Sequence, residues 1–374
     1  MKKVLFVATV VKAHIVAFHI PYLKMFKENG FETFVCARND YENKDECIIP
    51  YCDNYYDFSF ERSPIKFENY RAYKNLKALI DSNEFDIIHC HTPVGGVLAR
   101  IAAKNVRRKK SKVIYTAHGF HFYKGAPLLN WLVYYPIERW LARYTDTLIT
   151  INKEDFLTAS KFKARKIEYV PGVGIDTNRF SKVSIDKRKK RSEIGITESS
   201  FIILSAGELN KNKNHEVIIR AIARLEDNDI QYVICGEGVL ENRLKCLAKE
   251  LGIERQVKLL GYRNDINEIL NVSDIYAFPS HREGLSLSLM EAMSAALPVV
   301  CSKIRGNSDL IQEGNGGYLV EATNIEVFSN AILKLKQQNS LRESMGKYNK
   351  KIILEFDITT VKKSMENIYL EVQD

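Results

Sequence analysis

Short apolar runs recur along the first half of the chain, and each is separated from the next by a stretch long enough for a helix. The runs are rich in aliphatic and β-branched residues and have the length of buried strands. They cover residues 4–8, 33–37, 87–89, 112–116 and 147–151. Apolar residues recur with helical spacing between them, for example at 70–80 and 97–106. This alternation predicts a doubly wound parallel sheet with helices on both faces.

The second half of the chain repeats the alternation after a basic run at 187–191. Its strand-like runs cover 201–205, 231–235, 257–260, 275–278 and 299–301, and helical spacing continues through 341–356 and 359–372. The fold class expected is therefore α/β, with two Rossmann-like, doubly wound domains facing a central cleft.

Two glutamates bracket the turn that follows the predicted strand 275–278. Glu283 lies in the loop at the carboxyl end of that strand, and Glu291 lies in the helix that comes next. Open α/β sheets bind ligands at this edge, and amides at a helix N-terminus favour an anion such as a phosphate. The amides concerned belong to Gly284, Leu285 and Ser286. By spacing alone, however, two glutamates eight residues apart fit a solvated helix face better than a binding site.

Composition narrows the class of protein. A chain of 374 residues, 45% hydrophobic and 27% charged, can bury a large core and form two domains. No apolar run reaches the roughly 18 residues of a membrane span, and no cleavage site of a signal peptide follows Lys2 and Lys3. The seven cysteines are odd in number and lie mostly in apolar or helical runs. We therefore expect a protein of the reducing cytoplasm without a disulfide framework.

The formal net charge of +9 indicates an anionic partner or surface. Basic clusters stand at 107–112, 161–166 and 187–191, but no helix-turn-helix pattern or ladder of basic and aromatic residues accompanies them. Nucleic acid is therefore not expected as a partner. The sequence His89-Cys90-His91 could suggest a metal, yet in a strand the histidines face away from the cysteine and no further ligand is near in sequence. We expect no metal site.

Polar residues follow the strands of the first half as well. His118 and Gly119 come directly after the strand 112–116, and Phe120 follows them. A lone histidine is usually structural, but a glycine beside it allows a ligand to approach the backbone. His91 lies in a similar position before the pair Gly95 and Gly96, which favours an anion or hydroxyl contact.

The loop after the first strand carries three more polar candidates. Lys12, His14 and His19 could contact a ligand. It is equally consistent with the sequence that both histidines merely solvate a loop and a helix start.

The stretch 281–293 resembles the Glu-(x)7-Glu signature of the family 4 glycosyltransferases, which are retaining enzymes of the GT-B fold. The match includes Ser280, Arg282, Glu283 and Gly284 at its start and the Glu-Ala-Met that begins at Glu291. The resemblance implies that Glu283 lies near the donor sugar and that Glu291 binds the nucleotide ribose.

A second stretch, 207–214, is similar to the family motif Gly-Arg-Leu-x-x-x-Lys-Gly/Asn, whose two cations neutralise the donor diphosphate. Lys213 falls on the family's lysine, but Glu208 falls on its arginine. Either Lys211 or Arg282 supplies the missing charge, or one lysine and the helix amides suffice. The resemblance implies donor contacts from Gly207, Glu208, Asn214 and Arg282. It also implies a contact from Arg263, which lies in the family's base-contacting stretch and would either stack on the base or lie at the rim of the site.

The resemblance also implies which domain binds which substrate. The connector around residues 169–180 and the last helix are similar to those of the family, which implies an acceptor-binding domain 1–180 completed by helix 358–374 and a nucleotide-sugar-binding domain 181–357. His118 would act beside the sugar, so that we class it with Lys213 and Glu283 as catalytic. The acceptor side would comprise Lys12, His14, His91, Gly119 and Phe120.

The sequences of residues 115–123 and 207–210 are most similar to those of bacterial enzymes that extend capsular or exopolysaccharide units on an undecaprenyl diphosphate carrier. The implied reaction transfers a sugar from a nucleotide-sugar, taken as a UDP-sugar, to a lipid-linked saccharide, with no metal and no cofactor. Glu208 leaves one alternative: a catalytically silent partner that binds a nucleotide and supports another transferase.

The segment 128–143 holds both tryptophans of the chain. One interpretation is a helix packed on the sheet through Leu132, Ile137 and Leu141. The excess of aromatic residues favours another, because tryptophan and tyrosine prefer the headgroup level of a bilayer and basic side chains add attraction to anionic lipid. With Lys124, Arg139, Arg143 and the run 107–112, this predicts peripheral docking of the first domain on the anionic inner leaflet of the bacterial plasma membrane.

Overall fold

The computed structural model describes residues 1–61, 63, 66–107, 110–181 and 183–373. The predicted contribution of Arg108 and Lys109 to membrane docking lies outside these described residues, as does the end of the predicted closing helix at 374. The chain forms two compact units. Unit 1 comprises Met1–Val173 and Val361–Asp374, and unit 2 comprises Gly174–Thr360. The divisions thus fall at 173/174 and 360/361, where the sequence placed them at 180/181 and 357/358.

Unit 1 is built on a sheet of seven parallel strands, which lie side by side in the order β3-β2-β1-β4-β5-β6-β7. Their bounds are β1 Lys3–Val10, β2 Glu32–Arg38, β3 Asn54–Tyr56, β4 Ile87–His91, β5 Lys112–Ala117, β6 Thr147–Thr150 and β7 Lys166–Tyr169. The five strands predicted in this half are confirmed. The sequence missed β3 and β7, the two edge strands, because both are short and neither contains an apolar run.

The helices of unit 1 cover both faces of its sheet. They are a π-helix Val11–Val16, α1 Ile20–Glu28, α2 Phe67–Ser82, α3 Pro93–Ala102, α4 Lys104–Arg107, α5 Leu128–Leu141, α6 Lys153–Ala159 and α16 Ile358–Gln373, whose first residues belong to unit 2. Buried side chains of β1 alternate between the two faces: Leu5 and Val7 pack in one core cluster, and Phe6 and Ala8 in the other. This strand is therefore covered on both sides, as a central parallel strand should be.

Helix α16 completes one face of unit 1 although it comes last in sequence. Tyr369 is buried against Phe26, with ring centroids 4.7 Å apart, and its hydroxyl lies 2.7 Å from Nδ1 of His89. The other ring nitrogen of His89 lies 2.8 Å from the Thr116 hydroxyl. His89 is thus a satisfied core histidine.

Unit 2 contains six parallel strands in the order β10-β9-β8-β11-β12-β13. The strands are β8 Phe201–Ala206, β9 Ile230–Cys235, β10 Val257–Leu259, β11 Ile275–Phe278, β12 Val299–Ser302 and β13 Gly317–Val320. The helices are α7 Thr177–Ser181, α8 Lys187–Glu193, α9 His215–Ala223, α10 Glu241–Glu250, α11 Ile266–Val272, α12 Leu287–Ser294, α13 Arg305–Leu310, α14 Ile325–Gln337 and α15 Asn339–Ile352. Of these strands, only the edge strand β13 was not predicted.

A buried ion pair fastens α5 to α3 and β5. Arg100 on α3 is fully buried, and its Nη1 donates to Oε2 of Glu138 on α5 over 2.8 Å. The guanidinium also lies 3.8 Å from the centroid of the Tyr115 ring, whose hydroxyl donates to Glu138 over 3.3 Å. A Cβ at Gly96 would meet this ring at 2.4 Å. Gly96 therefore serves close packing, and the anion or hydroxyl contact expected at the glycine pair has no support at this position.

Removing one partner of this pair should be costly, because the other charge would stay buried without compensation. We predict that Glu138→Ala lowers the free energy of unfolding by about 3–5 kcal/mol, measured by denaturant titration of the full chain. Glu28→Ala is the matched control, since Glu28 pairs with Lys24 on the exposed side of α1. That change should cost less than about 1 kcal/mol. Equal effects of the two substitutions would contradict the assignment.

Candidate active site

The centre of unit 2's candidate site is an ion pair at the carboxyl ends of two neighbouring strands. Lys213 lies in the loop after β8 and Glu283 in the loop after β11, and these strands pair in parallel, so that their loops leave the sheet at the same edge. Lys213 Nζ donates to Glu283 Oε1 over 2.8 Å and lies 4.8 Å from the Phe278 ring centroid. A Cβ at Gly207 would lie 3.0 Å from Lys213 Cε, so that glycine makes room for the lysine.

The loop from Gly284 to Ser286 leads into α12. Ser286 occupies the N-cap position, and its hydroxyl lies 3.1 Å from that of Ser288. Within the part of the chain that the structure describes, the amides of Gly284, Leu285 and Ser286 donate to no protein acceptor. Donor groups beside the positive end of a helix dipole suit an anion. The structure therefore places a cation and unused amides next to each other.

A helix that the sequence did not single out supports this loop. A Cβ at Gly306, in α13, would lie 1.4 Å from the Gly284 carbonyl oxygen, so the loop rests directly on the α13 backbone. Arg305 Nε donates to the Glu283 carbonyl over 3.3 Å. Arg305 matches no motif, and the one available signal was its place just after β12, the next strand along the sheet.

The acidic residue in place of the family's arginine is exposed. Glu208, Lys211 and Arg282 all project to the surface. Asn212 Nδ2 donates to the Arg282 carbonyl over 2.9 Å and so ties the two loops together through the backbone. Arg305, in contrast to Lys211 and Arg282, is half-buried against the Glu283 backbone.

Glu291 lies in α12, half-buried. Burial raises the pKa of this carboxyl group, and the nearby charge of Arg179, in α7, acts in the opposite direction. An electroneutral hydroxyl partner, such as a ribose, would suit a carboxylate in this partly dehydrated place.

Two predicted donor contacts are committed to structural bonds. The Arg263 guanidinium donates to both carboxylate oxygens of Asp265, over 2.8 and 2.6 Å, and to Glu193 over 3.1 Å. Asn214 Nδ2 donates to the carbonyls of Pro279 and Ala322 over 3.1 and 2.8 Å. Neither group is free to reach a ligand without giving up these partners, because good hydrogen bonds to charged or buried groups are costly to break.

Histidines gather at the corresponding edge of unit 1. His91 ends β4 and His118 follows β5, and the two rings approach to 3.4 Å between Nδ1 of His91 and Nε2 of His118. His14 lies in the π-helix and His19 just before α1, and both are buried. The alternative in which these two residues merely solvate a loop is therefore wrong. Burial lowers the pKa of His14 to about 4.

The remaining acceptor candidates, Gly119, Phe120 and Lys12, do not belong to this group of histidines and differ from one another in exposure. Gly119 follows His118 with a φ of +142°, a conformation that favours glycine. Phe120 is a correction to the expected acceptor contact: its ring is only 3% exposed and lies 4.7 Å from the Phe122 ring, so it belongs to the core. The side chain of Lys12 is exposed beside the Tyr41 ring.

The outer surface of α5 carries an exposed apolar face. We define the α5 apolar face as Leu128, Leu129, Leu132, Val133, Ile137 and Trp140. The interpretation of this helix as packed through Leu132, Ile137 and Leu141 is wrong for the first two, which are 74% and 40% exposed, and right for Leu141, which is fully buried. None of the described helices combines the length and apolarity needed to cross a bilayer.

Family models of known proteins match most of the sequence of each unit. The family model described as "Glycosyl transferases group 1" matches residues 186–352, and the model described as "Glycosyl transferase 4-like" matches residues 3–152. EpsD of Bacillus subtilis (strain 168), a glycosyltransferase by its name, is 40% identical over 378 residues, with 100% of this chain and 97% of that protein covered.

A second relative names a lipid-linked acceptor. The Escherichia coli UDP-Gal:alpha-D-GlcNAc-diphosphoundecaprenol alpha-1,3-galactosyltransferase is 30% identical over 323 residues, with 83% of each chain covered. Among crystal structures, HepE of Anabaena in complex with UDP superimposes with a TM-score of 0.80 at 18% identity, covering 99% of this chain and 100% of that one.

The lipopolysaccharide glycosyltransferase WaaG gives a TM-score of 0.71 at 17% identity, covering 98% of this chain and 99% of that one. At such identities the two structures speak for the fold alone. Together with the family models and the relatives, they show that the chain belongs to the family 4 (group 1) glycosyltransferases and has the GT-B fold.

Proposed function

We propose that this protein transfers a hexose from a UDP-sugar to a lipid-linked saccharide, with retention of anomeric configuration, in the synthesis of a bacterial capsule or exopolysaccharide. The observation that carries the proposal is the Lys213–Glu283 ion pair beside the unused amides of residues 284–286. The choice of UDP as the nucleotide of the donor is supported by the name of the Escherichia coli relative and by the ligand of HepE. A diphosphate-linked lipid acceptor is supported by the same relative.

The chemical task of the site is to accept negative charge. As the bond between the anomeric carbon and the donor diphosphate breaks, charge grows on the leaving diphosphate, and fixed cations and amides stabilise it. Lys213 and the amides of residues 284–286 are placed for this role, so that protein groups perform the task at the diphosphate that a metal would otherwise perform. Glu283 holds the Lys213 ammonium in the absence of donor and orients the sugar in its presence. Retention then requires the acceptor oxygen to arrive on the face that the diphosphate leaves.

Removing either member of the pair tests the chemistry. We predict that Lys213→Ala and Glu283→Ala each lower kcat by about 100- to 1000-fold, the range for loss of one group that stabilises transition-state charge. The measurement is turnover by the purified chain alone with UDP-, GDP- and ADP-sugars and a lipid-linked acceptor. Lys245→Ala is the control, because Lys245 makes an exposed ion pair of similar length with Glu241 on α10.

Two results would contradict the proposal. Turnover within about threefold of the unmodified chain for both variants would remove Lys213 and Glu283 from the mechanism. Absence of turnover unless another transferase is added would instead favour the silent-partner alternative.

Arg305 is proposed to supply the cation that Glu208 does not. Arg305 is half-buried and donates to the Glu283 carbonyl, whereas the side chains of Lys211 and Arg282 are exposed. We predict that Arg305→Ala weakens UDP binding by about 10- to 150-fold, since a hydrogen bond to a charged group contributes about 1.5–3 kcal/mol, while Lys211→Ala and Arg282→Ala have smaller effects. Titration calorimetry with UDP measures this, and a larger effect of either exposed cation would reassign the role.

The α5 apolar face is proposed to dock the enzyme on the cytoplasmic face of the plasma membrane. Leu128 and Leu129 are 81% and 68% exposed, the exposed Arg139 lies in the same helix, and the exposed Lys124 lies just before it. Apolar groups that enter the headgroup region gain free energy by leaving water, and each basic residue near an anionic surface adds about 1 kcal/mol. A lipid-linked acceptor would be met at this surface.

Liposome co-sedimentation tests the docking. The unmodified chain should bind vesicles that contain anionic lipid, and binding should fall at high salt because ions screen the basic groups. A Leu129→Ser, Leu132→Ser double variant should bind at least about tenfold more weakly, since burying one leucine contributes about 1.5–3 kcal/mol. Leu157→Ser is the control, because Leu157 is 65% exposed on another helix of unit 1. Equal recovery in the supernatant with neutral and anionic vesicles at low salt would refute the docking.

A further inference from the structure

Four histidines from four separate segments converge in unit 1. His14 comes from the π-helix, His19 precedes α1, His91 ends β4 and His118 follows β5. We name these four residues the histidine cluster. The first three are between 1% and 8% exposed, and His118 is half-buried. The cluster is assembled by the fold, because no two of its members lie within four residues of each other in the sequence.

The ring nitrogens of the cluster lie close together, although farther apart than in a coordination shell. One ring nitrogen from each histidine can be chosen so that all four lie within 4.8 Å of one another. The pair His91 Nδ1 and His118 Nε2 is 3.4 Å apart. Four nitrogens bound tetrahedrally to one ion at about 2.0–2.1 Å would lie about 3.4 Å from each other. Small side-chain rotations therefore separate the observed arrangement from that geometry.

Several ring nitrogens of the cluster are buried without a protein partner. Among the described residues, Nε2 of His14, both ring nitrogens of His19 and Nε2 of His91 make no hydrogen bond. Buried polar atoms are almost always paired, because water is lost without replacement. His89 provides the contrast, since the same environment satisfies both of its nitrogens through Tyr369 and Thr116. An ion shared by the cluster would account for at most one nitrogen of each ring, and so for one of the two unpaired nitrogens of His19.

We propose that the histidine cluster is a binding site for one divalent transition-metal ion, of which Zn²⁺ fits best. Imidazole ligands suit Zn²⁺, Ni²⁺, Cu²⁺ and Co²⁺, whereas Mg²⁺ and Ca²⁺ prefer oxygen, which this group of ligands does not offer. With four protein ligands the site is of the closed, structural kind. It would hold the π-helix and the start of α1 against the ends of β4 and β5.

Protonation and access are compatible with this assignment. Neutral imidazole is the form that binds a metal. Four neutral ligands leave the charge of the ion uncompensated. His118 is the most exposed of the four, so an ion, and a small anion that balances its charge, would enter beside it.

This inference revises one expectation from the sequence. The absence of further ligands near His91 was inferred from linear distance, and it is wrong in space because His14, His19 and His118 all approach that ring. The metal does not involve Cys90, whose side chain belongs to the core cluster on the other face of the sheet. The inference gives His14, His91 and His118 the role of metal ligands in place of the acceptor and catalytic contacts expected from the family resemblance. It is tested by a binding equilibrium and not by turnover.

Zinc titration of the full chain, stripped with a chelator, tests the site. Calorimetry with ZnCl₂ should show one ion bound per chain, and the melting temperature should rise, because only the folded chain presents the four ligands together. Co²⁺ should give the visible absorption of a tetrahedral ion with nitrogen ligands, without a thiolate charge-transfer band. MgCl₂ should produce neither effect.

Variants identify the ligands. His19→Phe and His14→Gln should each weaken Zn²⁺ binding by about 100-fold or more, beyond the 10- to 100-fold typical of groups that only orient a ligand. His121→Phe is the control, because this histidine of unit 1 lies outside the cluster and should leave the affinity unchanged. Circular dichroism of the metal-free variants establishes that each is folded, and the two variants alter different segments, so that one remains informative if the other does not fold.

The proposal is overturned by three results. One is the lack of saturable binding of one Zn²⁺ per chain. Another is binding that survives in both cluster variants. The third is a thiolate band in the Co²⁺ spectrum, which would assign the ion to cysteine.

Discussion

The parallel pairing of neighbouring strands is the constraint on which both candidate sites depend. In unit 2, β8 and β11 run side by side in the same direction, so the loops that carry Lys213 and Glu283 must leave the sheet together. In unit 1, the pairing of β1 with β4 and of β4 with β5 does the same for the histidine cluster. Residues that are far apart in sequence therefore meet without any long-range contact of their own having to bring them together.

The sequence predicted most of the fold because buried parallel strands are written as apolar runs. It failed at edge strands, where that signal is short or absent: β3 is the segment Asn54-Tyr55-Tyr56, and β7 and β13 have four residues each. It also identified Lys213, Glu283 and Glu291 by motif. What it could not provide was the burial of His14 and His19, because a π-helix inserts its extra residue without a sequence pattern, and a histidine is equally at home on a surface.

The sequence also could not predict which partners the charged side chains bind. Arg263 was expected at a nucleotide base, yet its own neighbour Asp265 binds it through both carboxylate oxygens. Arg305, which no motif marks, donates to the backbone of Glu283, whereas the side chain of Arg282, one of the two expected replacements for the missing cation, is exposed. Side chains of this length reach several positions, so that only the packing of α13 and of the loops decides which one each of them occupies.

The late position of α16 in the sequence has a consequence for how the chain is made. Unit 1 takes its first 173 residues from the start of the chain, but Tyr369 and the helix around it come after all of unit 2. During synthesis, unit 2 is therefore complete before the ribosome has delivered the helix that covers one face of the unit 1 sheet. Until then, Nδ1 of His89 lacks its hydroxyl partner and Phe26 lacks the ring that packs on it. The usual order of domain maturation, from N-terminus to C-terminus, is thus reversed: the second unit can close first, and the first must wait for a helix that follows unit 2 in the sequence.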